Sequence, residues 1–266
     1  MLTRMRRIVP AEDKSPRSYK VLGVSVDAVQ IPDVIQLMER WISAPLAACR
    51  IIACTGMHGV AESRYDPLFK QILNSADLLV ADGMPLVWLG RWHGHAMPRR
   101  VYGPELMESF CHATGPLYRH YFYGGRPGVA ERLAEVLKQR YGIRTVGTYS
   151  PPFRPLTQEE EVEVNRRIQA AAPDVVWVGL GTPKQERWMY EHRLRLAVPL
   201  MVGAGAAFDF IAGSVNQAPH WMQQNGLEWI FRLVQEPRRL WRRYLLMGSQ
   251  FVWNVALELL ALRKFG

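Results

Sequence analysis

The sequence predicts an α/β fold in which a mostly parallel, Rossmann-like sheet is flanked by helices and followed by a C-terminal helical appendage. Three observations support this prediction. Short apolar segments alternate with amphipathic segments along most of the 266 residues. Strands that are this short and this apolar are typical of a parallel sheet covered on both faces. Glycines follow several of the apolar segments, where strands turn into helices.

The alternation is regular from residue 19 to residue 205. We predict strands over 19–29 (including a turn), 50–54, 77–82, 119–125, 143–150, 174–180 and 198–205. We predict helices over 31–42, 66–76, 83–93, 127–142, 156–171 and 183–194. The helix over 127–142 has clear boundary signals, because Pro127 stands near its start and Gly142 at its end.

Composition and charge divide the chain into three parts: a basic N-terminal tail (1–20), an α/β domain (21–225) and a basic, apolar helical appendage (226–266). The net charge of +9 resides mostly at the ends, with +4 in residues 1–20, +4 in residues 228–266 and +1 between them. Such ends indicate an anionic surface, either nucleic acid or the cytoplasmic membrane leaflet, although the N-terminal segment is also compatible with a solvated tail.

The three cysteines and the N-terminus indicate the cellular compartment of the protein. An odd number of cysteines with no CxxC pair predicts reduced thiols and a cytoplasmic protein, and it indicates neither a zinc site nor a disulfide framework. The basic N-terminus lacks the apolar core of a signal peptide.

Ligands of open parallel sheets bind beyond the carboxyl ends of the strands. The residues at those predicted ends are Thr55, Gly56, Asp82, Gly83, Gly124, Gly125, residues 179–185 and residues 203–205. The segment that contains Gly181, Lys184 and Gln185 starts a helix directly after a strand, which is a natural site for an anion. Each glycine alone is equally compatible with an ordinary turn.

Common nucleotide and metal motifs are absent. The sequence has no GxGxxG, no P-loop and no pair of aspartates separated by one residue of the kind that holds a divalent ion on a nucleotide diphosphate. The spacing of His58, His93 and His95 matches no standard metal site. We therefore expect no metal and no cofactor, and a bound diphosphate would be neutralised by Arg, Lys and backbone amides.

Several longer motifs identify a resemblance. In order and spacing, "LLVADGMPLVWLGRWHG", "RRVYGPELM", "VVWVGLGTPKQERW", "VGAGAAFDFIAG" and "APHWMQQNGLEWIFRLVQEPRRLWRRY" resemble the WecG/TagA/CpsF glycosyltransferase family from about residue 22 to residue 244. The resemblance implies an inverting, metal-independent transfer of a sugar from a UDP-sugar to a polyprenyl-diphosphate-linked acceptor. It also implies that the reaction takes place at the inner face of the membrane.

The resemblance also suggests roles for individual residues. Asp82 matches the family's proposed base, and Thr55 and Gln185 join it as catalytic candidates. Substrate-binding candidates are Arg100, Gly124, Gly125, Gly181, Lys184, Asp209, Arg232, Arg239 and Arg242. Read without the resemblance, Asp82 is also compatible with a helix cap, and Gln185 with an ordinary polar residue of a first helical turn.

The chain departs from the family pattern at two positions. Met57 stands where members often have asparagine, and Gln217 stands where they often have arginine. Because an amide beside the donor is lost, these motifs do not determine the identity of the transferred sugar. N-acetylmannosamine and glucose are both candidates.

The C-terminal segment 238–262 is helical in pattern, with a polar stripe of Gln250, Asn254 and Glu258 and apolar residues over most of the remaining surface. We expect a membrane-associating appendage on a protein peripheral to the inner face of the cell membrane. Burial against the domain or in a homo-oligomer interface is the alternative for this helix. The alternative function is a nucleotide-binding or nucleic-acid-binding protein without catalysis, but the near-neutral domain has no nucleic-acid motif, so we expect no nucleic-acid partner.

Overall fold

A computed structural model describes residues 16–45 and 48–265 of the chain. Within these residues the predicted fold class is confirmed. Eight strands form one sheet that is parallel except for its first strand, and helices cover both faces. Most of the predicted basic tail, residues 1–15, lies outside the described residues.

The elements have the following bounds. The strands are β1 (Ser18–Val21), β2 (Val24–Asp27), β3 (Arg50–Thr55), β4 (Leu78–Ala81), β5 (Arg119–Gly124), β6 (Arg144–Tyr149), β7 (Val175–Gly179) and β8 (Leu200–Gly203). The helices up to β8 are α1 (Ile31–Ser43), α2 (Met57–Ser63), α3 (Pro67–Asn74), α4 (Met84–Trp92), α5 (Gly103–Thr114), α6 (Val129–Tyr141), α7 (Gln158–Ala171) and α8 (Lys184–His192). Beyond β8 follow α9 (Gly205–Ile211), α10 (His220–Gln224), α11 (Glu228–Gln235), α12 (Pro237–Trp241), a π-helical turn (Arg242–Leu246) and α13 (Met247–Leu259).

The strand order is β1-β2-β4-β3-β8-β7-β5-β6. In the middle of the sheet β3 pairs in parallel with β8, which lies about 150 residues later in the chain. Because β3 leads to β4 on one side and β7 borders β8 on the other, the strand order reverses at this point. Such a reversal opens a crevice at the carboxyl ends of the strands.

One prediction about the first half of the chain needed correction. The segment predicted as one strand with a turn is an antiparallel hairpin of β1 and β2, joined through Leu22 and Gly23 at φ 51° and 80°. Both residues are left-handed, as in the turns that suit the twist of a hairpin. The sheet therefore begins at Ser18.

The structure also contains helices that the sequence analysis did not assign, among them α2, α5 and α9. Helix α5 is the most consequential of these for the site. Its buried side chains Leu106, Met107, Phe110 and Cys111 recur at helical spacing and join the core. The periodicity was thus present in the sequence between the predicted segments.

The core lies on both faces of the sheet. In β7, Val175 and Trp177 belong to the cluster beneath α1, α5, α6 and α9, whereas Val176 and Val178 belong to the cluster beneath α7 and α8. Successive side chains of a strand point to opposite faces, so a strand covered on both sides must be apolar throughout. This explains the uninterrupted apolar run of β7.

The appendage is hydrogen-bonded to the domain through the polar stripe of α13. Tyr65 donates to Gln250 Oε1 at 3.3 Å, Arg64 donates to Asn254 Oδ1, and the amide of Leu22 donates to Glu258 Oε2 at 3.0 Å. The stripe therefore faces the domain, together with Phe251 and Val255, which are 3% and 8% exposed.

Most of the remaining apolar side chains of the appendage face outward. The exposed ones are Trp241, Leu245, Leu246, Val252, Trp253, Leu259, Leu260 and Leu262. Nowhere in the described residues does a helix combine the length and the apolar composition that crossing a bilayer requires.

The burial of the Asp27 carboxyl predicts that the stability of the fold depends on pH. It ends β2, and its Oδ2 accepts a hydrogen bond from the amide of Leu79 at 2.8 Å. Burial raises the pKa of this carboxyl from 3.8 to about 6. The carboxylate is therefore less stable in the folded than in the unfolded chain, and its ionisation lowers the stability of the fold as pH rises through 6.

We expect Asp27→Asn to raise the free energy of unfolding by about 1 kcal/mol at pH 8, a value reduced from the full shift because the side chain is partly exposed. The amide oxygen can still accept from Leu79, so the hydrogen bond survives. Urea unfolding of both proteins at pH 3.5, 5 and 8 measures the difference, which should shrink toward zero as pH falls below 4. A gain that is the same at every pH would contradict this assignment.

Candidate active site

The carboxyl ends of the parallel strands form a rim along one edge of the sheet. The strands β4, β3, β8, β7 and β5 lie side by side in that order. The rim thus brings together four residues predicted from separate segments: Asp82 after β4, Thr55 at the end of β3, Gly181 after β7 and Gly124 at the end of β5.

Asp82 is held in place from both sides. Its amide donates to the carbonyl of Thr55 at 2.9 Å, and its Oδ1 accepts from the amide of Gly103 at 2.7 Å. Gly103 is the first residue of α5, so the carboxylate lies at the positive end of a helix. Within the described residues, Oδ2 receives no hydrogen bond. One oxygen is therefore fixed while the other is available to a substrate.

Burial raises the pKa of the Asp82 carboxyl. The guanidinium of Arg100, the amide of Gly103 and the charge of Arg232 act in the opposite direction, while Glu228 adds to the increase. A carboxylate that is stabilised by cations and a helix end yet partly removed from water can be ionised and still more basic than a free one.

Arg100, a predicted substrate-binding residue, lies beside Asp82 in a tight network. Its Nη2 donates to Glu228 Oε2 at 2.6 Å, and its guanidinium lies 3.9 Å from the centre of the Tyr102 ring. Tyr102 donates its hydroxyl proton to Glu228 Oε1 at 3.1 Å. The side chains of Arg100 and Glu228 are only 13% and 11% exposed.

Glu228 was not among the predicted site residues. It is the first residue of α11, so it reaches the domain from the appendage. A signal was available in the sequence, because Glu228 is the first carboxylate of a segment in which arginines predominate. A single acid at the start of such a helix is compatible with a partner on the domain.

Thr55, a predicted catalytic residue, is fully buried, and its Oγ1 has no hydrogen-bond partner among the described residues. Beside it, the ring of His58 extends from α2, and its Nδ1 lies 2.9 Å from Nη2 of Arg243. Burial, together with Arg243 and Arg232, lowers the pKa of His58 well below its ordinary value. The neutral imidazole can therefore accept a hydrogen bond from the arginine.

Gln185, the third catalytic candidate, is 2% exposed and lies within the fold. Its Oε1 accepts from the amide of Gly181 at 3.2 Å, and its Nε2 donates to Glu186 Oε1 at 3.0 Å. Glu186 also accepts from the hydroxyl of Thr182 at 2.8 Å, and burial raises its pKa. In the structure Gln185 thus braces the loop after β7, while the neighbouring Lys184 is exposed. The catalytic role of Gln185 stays a prediction.

Close approach of two backbone segments requires glycine at position 124 of the rim. A Cβ on Gly124, at φ 135°, would lie 2.5 Å from the carbonyl carbon of Gly179. The amide of Gly125 donates to the carbonyl of Gly179 at 3.0 Å. By contrast, a Cβ on Gly181 would meet nothing within 4 Å, so that only its φ of 75° favours glycine. Space for a ligand is therefore open at Gly181.

Asp209 and Arg232, two predicted substrate-binding residues, have different partners. Asp209 is partly buried in α9, with its carboxylate 3.6 Å from the guanidinium of Arg126. The guanidinium of Arg232 lies 5.4 Å from the centre of the Phe210 ring, and its Nε is buried without a hydrogen-bond partner among the described residues. Arg232 is also close enough to Asp82 to influence its pKa.

Of the two other predicted arginines of the appendage, the structure describes the side chain of Arg242 alone. Arg242 is exposed, with its guanidinium 5.3 Å from the ring of Trp241. The side chain of Arg239 lies outside the described residues. Arg243, which was not among the predicted site residues, reaches the rim through His58.

The metal-ligating residue types do not converge. Among the described residues, no three His, Cys, Asp or Glu side chains come close enough together to hold a metal ion. His93 and His95 lie near the ring of Tyr19, with centroids 5.9 and 5.5 Å away. The three cysteines are buried with free thiols. Independence of a metal stays a prediction.

Comparisons with known proteins agree with the resemblance drawn from the motifs. A family model described as the glycosyl transferase WecG/TagA/CpsF family matches residues 19–265. A Bacillus spizizenii protein is 33% identical over 186 residues, which cover 69% of this chain and 70% of that protein. Its name is N-acetylglucosaminyldiphosphoundecaprenol N-acetyl-beta-D-mannosaminyltransferase. The region that the family model matches includes the whole rim and the appendage up to residue 265.

Proposed function

The chain belongs to the WecG/TagA/CpsF family of glycosyltransferases, and from this premise we propose that it transfers a hexose from a UDP-sugar to a polyprenyl-diphosphate-linked acceptor. The product would serve the synthesis of a cell-surface polysaccharide or exopolysaccharide. The observation that supports this best is Asp82, a partly buried carboxylate at the rim with one oxygen fixed by α5 and two arginines nearby. A binding protein without catalysis has no need for this arrangement.

In the proposed reaction, Asp82 is the general base. The hydroxyl of the acceptor gives its proton to Oδ2 while its oxygen attacks the anomeric carbon of the donor sugar. The bond from that carbon to the diphosphate breaks on the opposite side, and UDP leaves with the electron pair. Transfer therefore inverts the anomeric configuration. The β-mannosaminyl product in the name of the Bacillus relative fits inversion of an α-linked donor.

The departing diphosphate must be stabilised as its charge grows. The guanidinium of Arg232 is suited to this because its buried Nε has no partner among the described residues. Lys184 at the start of α8 and the open space beside Gly181 provide a second positive region on the far side of Thr55. We propose that these groups replace the divalent ion that many UDP-sugar enzymes use.

The identity of the hexose depends on the surroundings of Met57. This partly buried side chain lies close to the appendage, since a Cβ on Gly248 would be 3.4 Å from Met57 Cε. A thioether cannot donate the hydrogen bond that an asparagine amide offers to an N-acetyl group. We therefore keep both N-acetylmannosamine, the sugar in the relative's name, and glucose as candidates. A panel of UDP-sugars tested with one lipid-diphosphate acceptor would distinguish them.

We propose that the outward apolar face of α13 rests on the inner face of the cell membrane. The face combines exposed leucines with Trp253, and the exposed Trp241 at the end of α12 and its neighbour Arg242 precede it in the chain. Indoles and arginines prefer the headgroup region, where each arginine gains about 1 kcal/mol from anionic lipids. Contact with the membrane would place the rim beside a lipid-linked acceptor. An interface in a homo-oligomer is the competing explanation for the same face.

We expect Asp82→Asn to lower kcat by roughly 10²–10⁴-fold, the usual contribution of a positioned general base. The asparagine oxygen can still accept from Gly103, so the fold and UDP binding should be preserved. Asp27→Asn is the matched control, because it makes the same change at the end of another strand and should leave kcat within a few-fold. Turnover of Asp82→Asn near that of the wild type would remove Asp82 from this role.

Transfer should proceed at an unchanged rate in EDTA. Because a charge-assisted hydrogen bond contributes about 1.5–3 kcal/mol, we also expect Arg232→Ala to cost at least about tenfold in kcat/KM. Initial rates with and without chelator, measured with the same donor and acceptor, test the first statement. Loss of activity in EDTA that Mg²⁺ or Mn²⁺ restores would show that the diphosphate is held by a metal instead.

The membrane proposal predicts that replacing Val252, Trp253 and Leu260 together by glutamine abolishes cosedimentation with anionic liposomes. These side chains are 66%, 66% and 68% exposed, so the melting temperature should hardly change. The matched control replaces three exposed apolar residues elsewhere, Leu117, Phe153 and Leu194, by glutamine and should sediment like the wild type. Equal sedimentation of all three proteins, with a change of oligomeric state in the first variant, would instead favour a subunit interface.

A further inference from the structure

A polar cleft lies outside the rim, between α4, the loop before α5, and α10. It has a volume of about 360 Å³. Its walls include Trp88, Arg91, Arg99, Arg100, Glu105 and His220. Ligand sites of this size and larger accommodate small organic molecules. The proposed roles of the rim residues do not use this cleft as a binding site.

The cleft begins where the surroundings of Asp82 end. Arg100 lines it and also donates to the carbonyl of Asp82 at 3.5 Å. Met84, two residues after Asp82, lines it from α4. Gln223 belongs both to the cleft and to the Arg100 network, because its Oε1 accepts from Arg100 Nη2 at 3.3 Å. A ligand in the cleft would therefore be a close neighbour of the proposed base.

The strand order places the cleft on the side of Asp82 away from most of the rim. Thr55 of β3 and the loops after β8 and β7 extend from Asp82 in one direction. In the other direction α4 packs against β4 and β1, and α10 lines the cleft together with α4. In an inverting transfer, the base and the attacking hydroxyl lie on the face of the sugar opposite the leaving diphosphate. A donor on the rim therefore requires its acceptor on the cleft side.

The chemistry of the walls suits a sugar diphosphate. Arg91 is fixed by hydrogen bonds to the carbonyls of Met97 and Pro98, both at 2.8 Å. Arg99 is 66% exposed, and among the described residues its guanidinium pairs only with the distant carboxylate of Glu105, at 3.9 Å. Such guanidiniums bind phosphate oxygens with paired donors.

The other wall offers groups for a sugar ring. His220, Gln224 and Asn225 provide polar side chains on α10 and just after it, and the half-exposed indole of Trp88 provides an apolar surface. An indole combines a flat apolar body with one hydrogen-bond donor. On α4, Trp92 lies one turn beyond Trp88 and is 73% exposed, so the surface stays aromatic beyond the cleft.

We propose that this cleft binds the sugar-diphosphate head group of the acceptor. Arg91 and Arg99 hold the diphosphate, and α10 and Trp88 hold the sugar so that its attacking hydroxyl reaches Asp82. The inference rests on the proposed function for the identity of the acceptor. The cleft itself is defined independently of any donor.

The test uses Arg99→Glu and His220→Ala, since both side chains are exposed and neither supports the fold. Lys138→Glu, an exposed charge reversal on α6, is the matched control. We expect Arg99→Glu to raise the KM for a lipid-diphosphate N-acetylglucosamine acceptor by at least about tenfold, as for loss of a charge-assisted bond. The KM for the UDP-sugar and the slow transfer of its sugar to water should not change. His220→Ala should raise the same acceptor KM several-fold.

A second measurement separates this inference from the proposed function. A short-chain alkyl diphosphate of N-acetylglucosamine, titrated calorimetrically without any donor, should bind the wild type and Lys138→Glu equally and Arg99→Glu at least about tenfold more weakly. If the alkyl diphosphate binds the three proteins in this way while no UDP-sugar supports transfer, the cleft is the acceptor site and the proposed donor is wrong. If transfer takes place with the same acceptor KM in all four proteins, the function stands and the cleft is not the acceptor site. Absence of both binding and transfer overturns both.

Discussion

The carboxylate of Glu228 is the contact on which the candidate site depends. It accepts from Arg100 at 2.6 Å and from Tyr102 at 3.1 Å, and it belongs to the appendage while both partners belong to the domain. Removing one member of such a nearly buried ion pair costs about 3–5 kcal/mol, because the other charge is left uncompensated. In a domain without the appendage, Arg100 would therefore lie beside Asp82 without its partner Glu228. The site is complete only when α11 is in place.

Much of the fold could be predicted from the sequence, because its signals are local. Apolar strands alternate with amphipathic helices, and glycines or polar residues mark the strand ends, so that Asp82, Thr55 and Gly124 could be assigned to one rim before their distances were known. The strand order could not be predicted. The pairing of β3 with β8 depends on contacts between segments about 150 residues apart, which no local pattern encodes.

Side-chain environment was harder to predict than position. Gln185 lies where the motif places it, yet its amide is turned into the fold and bonded to Gly181 and Glu186. The polar stripe of α13 is a second example of a side-chain environment that could not be predicted. Its polar residues face the domain and many of its apolar ones face outward, because Arg64, Tyr65 and the Leu22 amide offer hydrogen bonds on the inner side. The periodicity of a helix shows that it has two faces, but only its partners decide which face is buried.

The appendage also governs the basicity of Asp82. Burial has the largest influence on the pKa of this carboxyl and raises it, Arg100 lowers it, and the two appendage residues Glu228 and Arg232 act in opposite directions. Because Glu228 raises the pKa of Asp82 and Arg232 lowers it, the appendage both adds to the increase caused by burial and opposes it. A carboxylate withdrawn from water while its partners keep it ionised is a stronger base than one in solution. The appendage residue that pairs with Arg100 is thus also one of the charges that set the pKa of the proposed base.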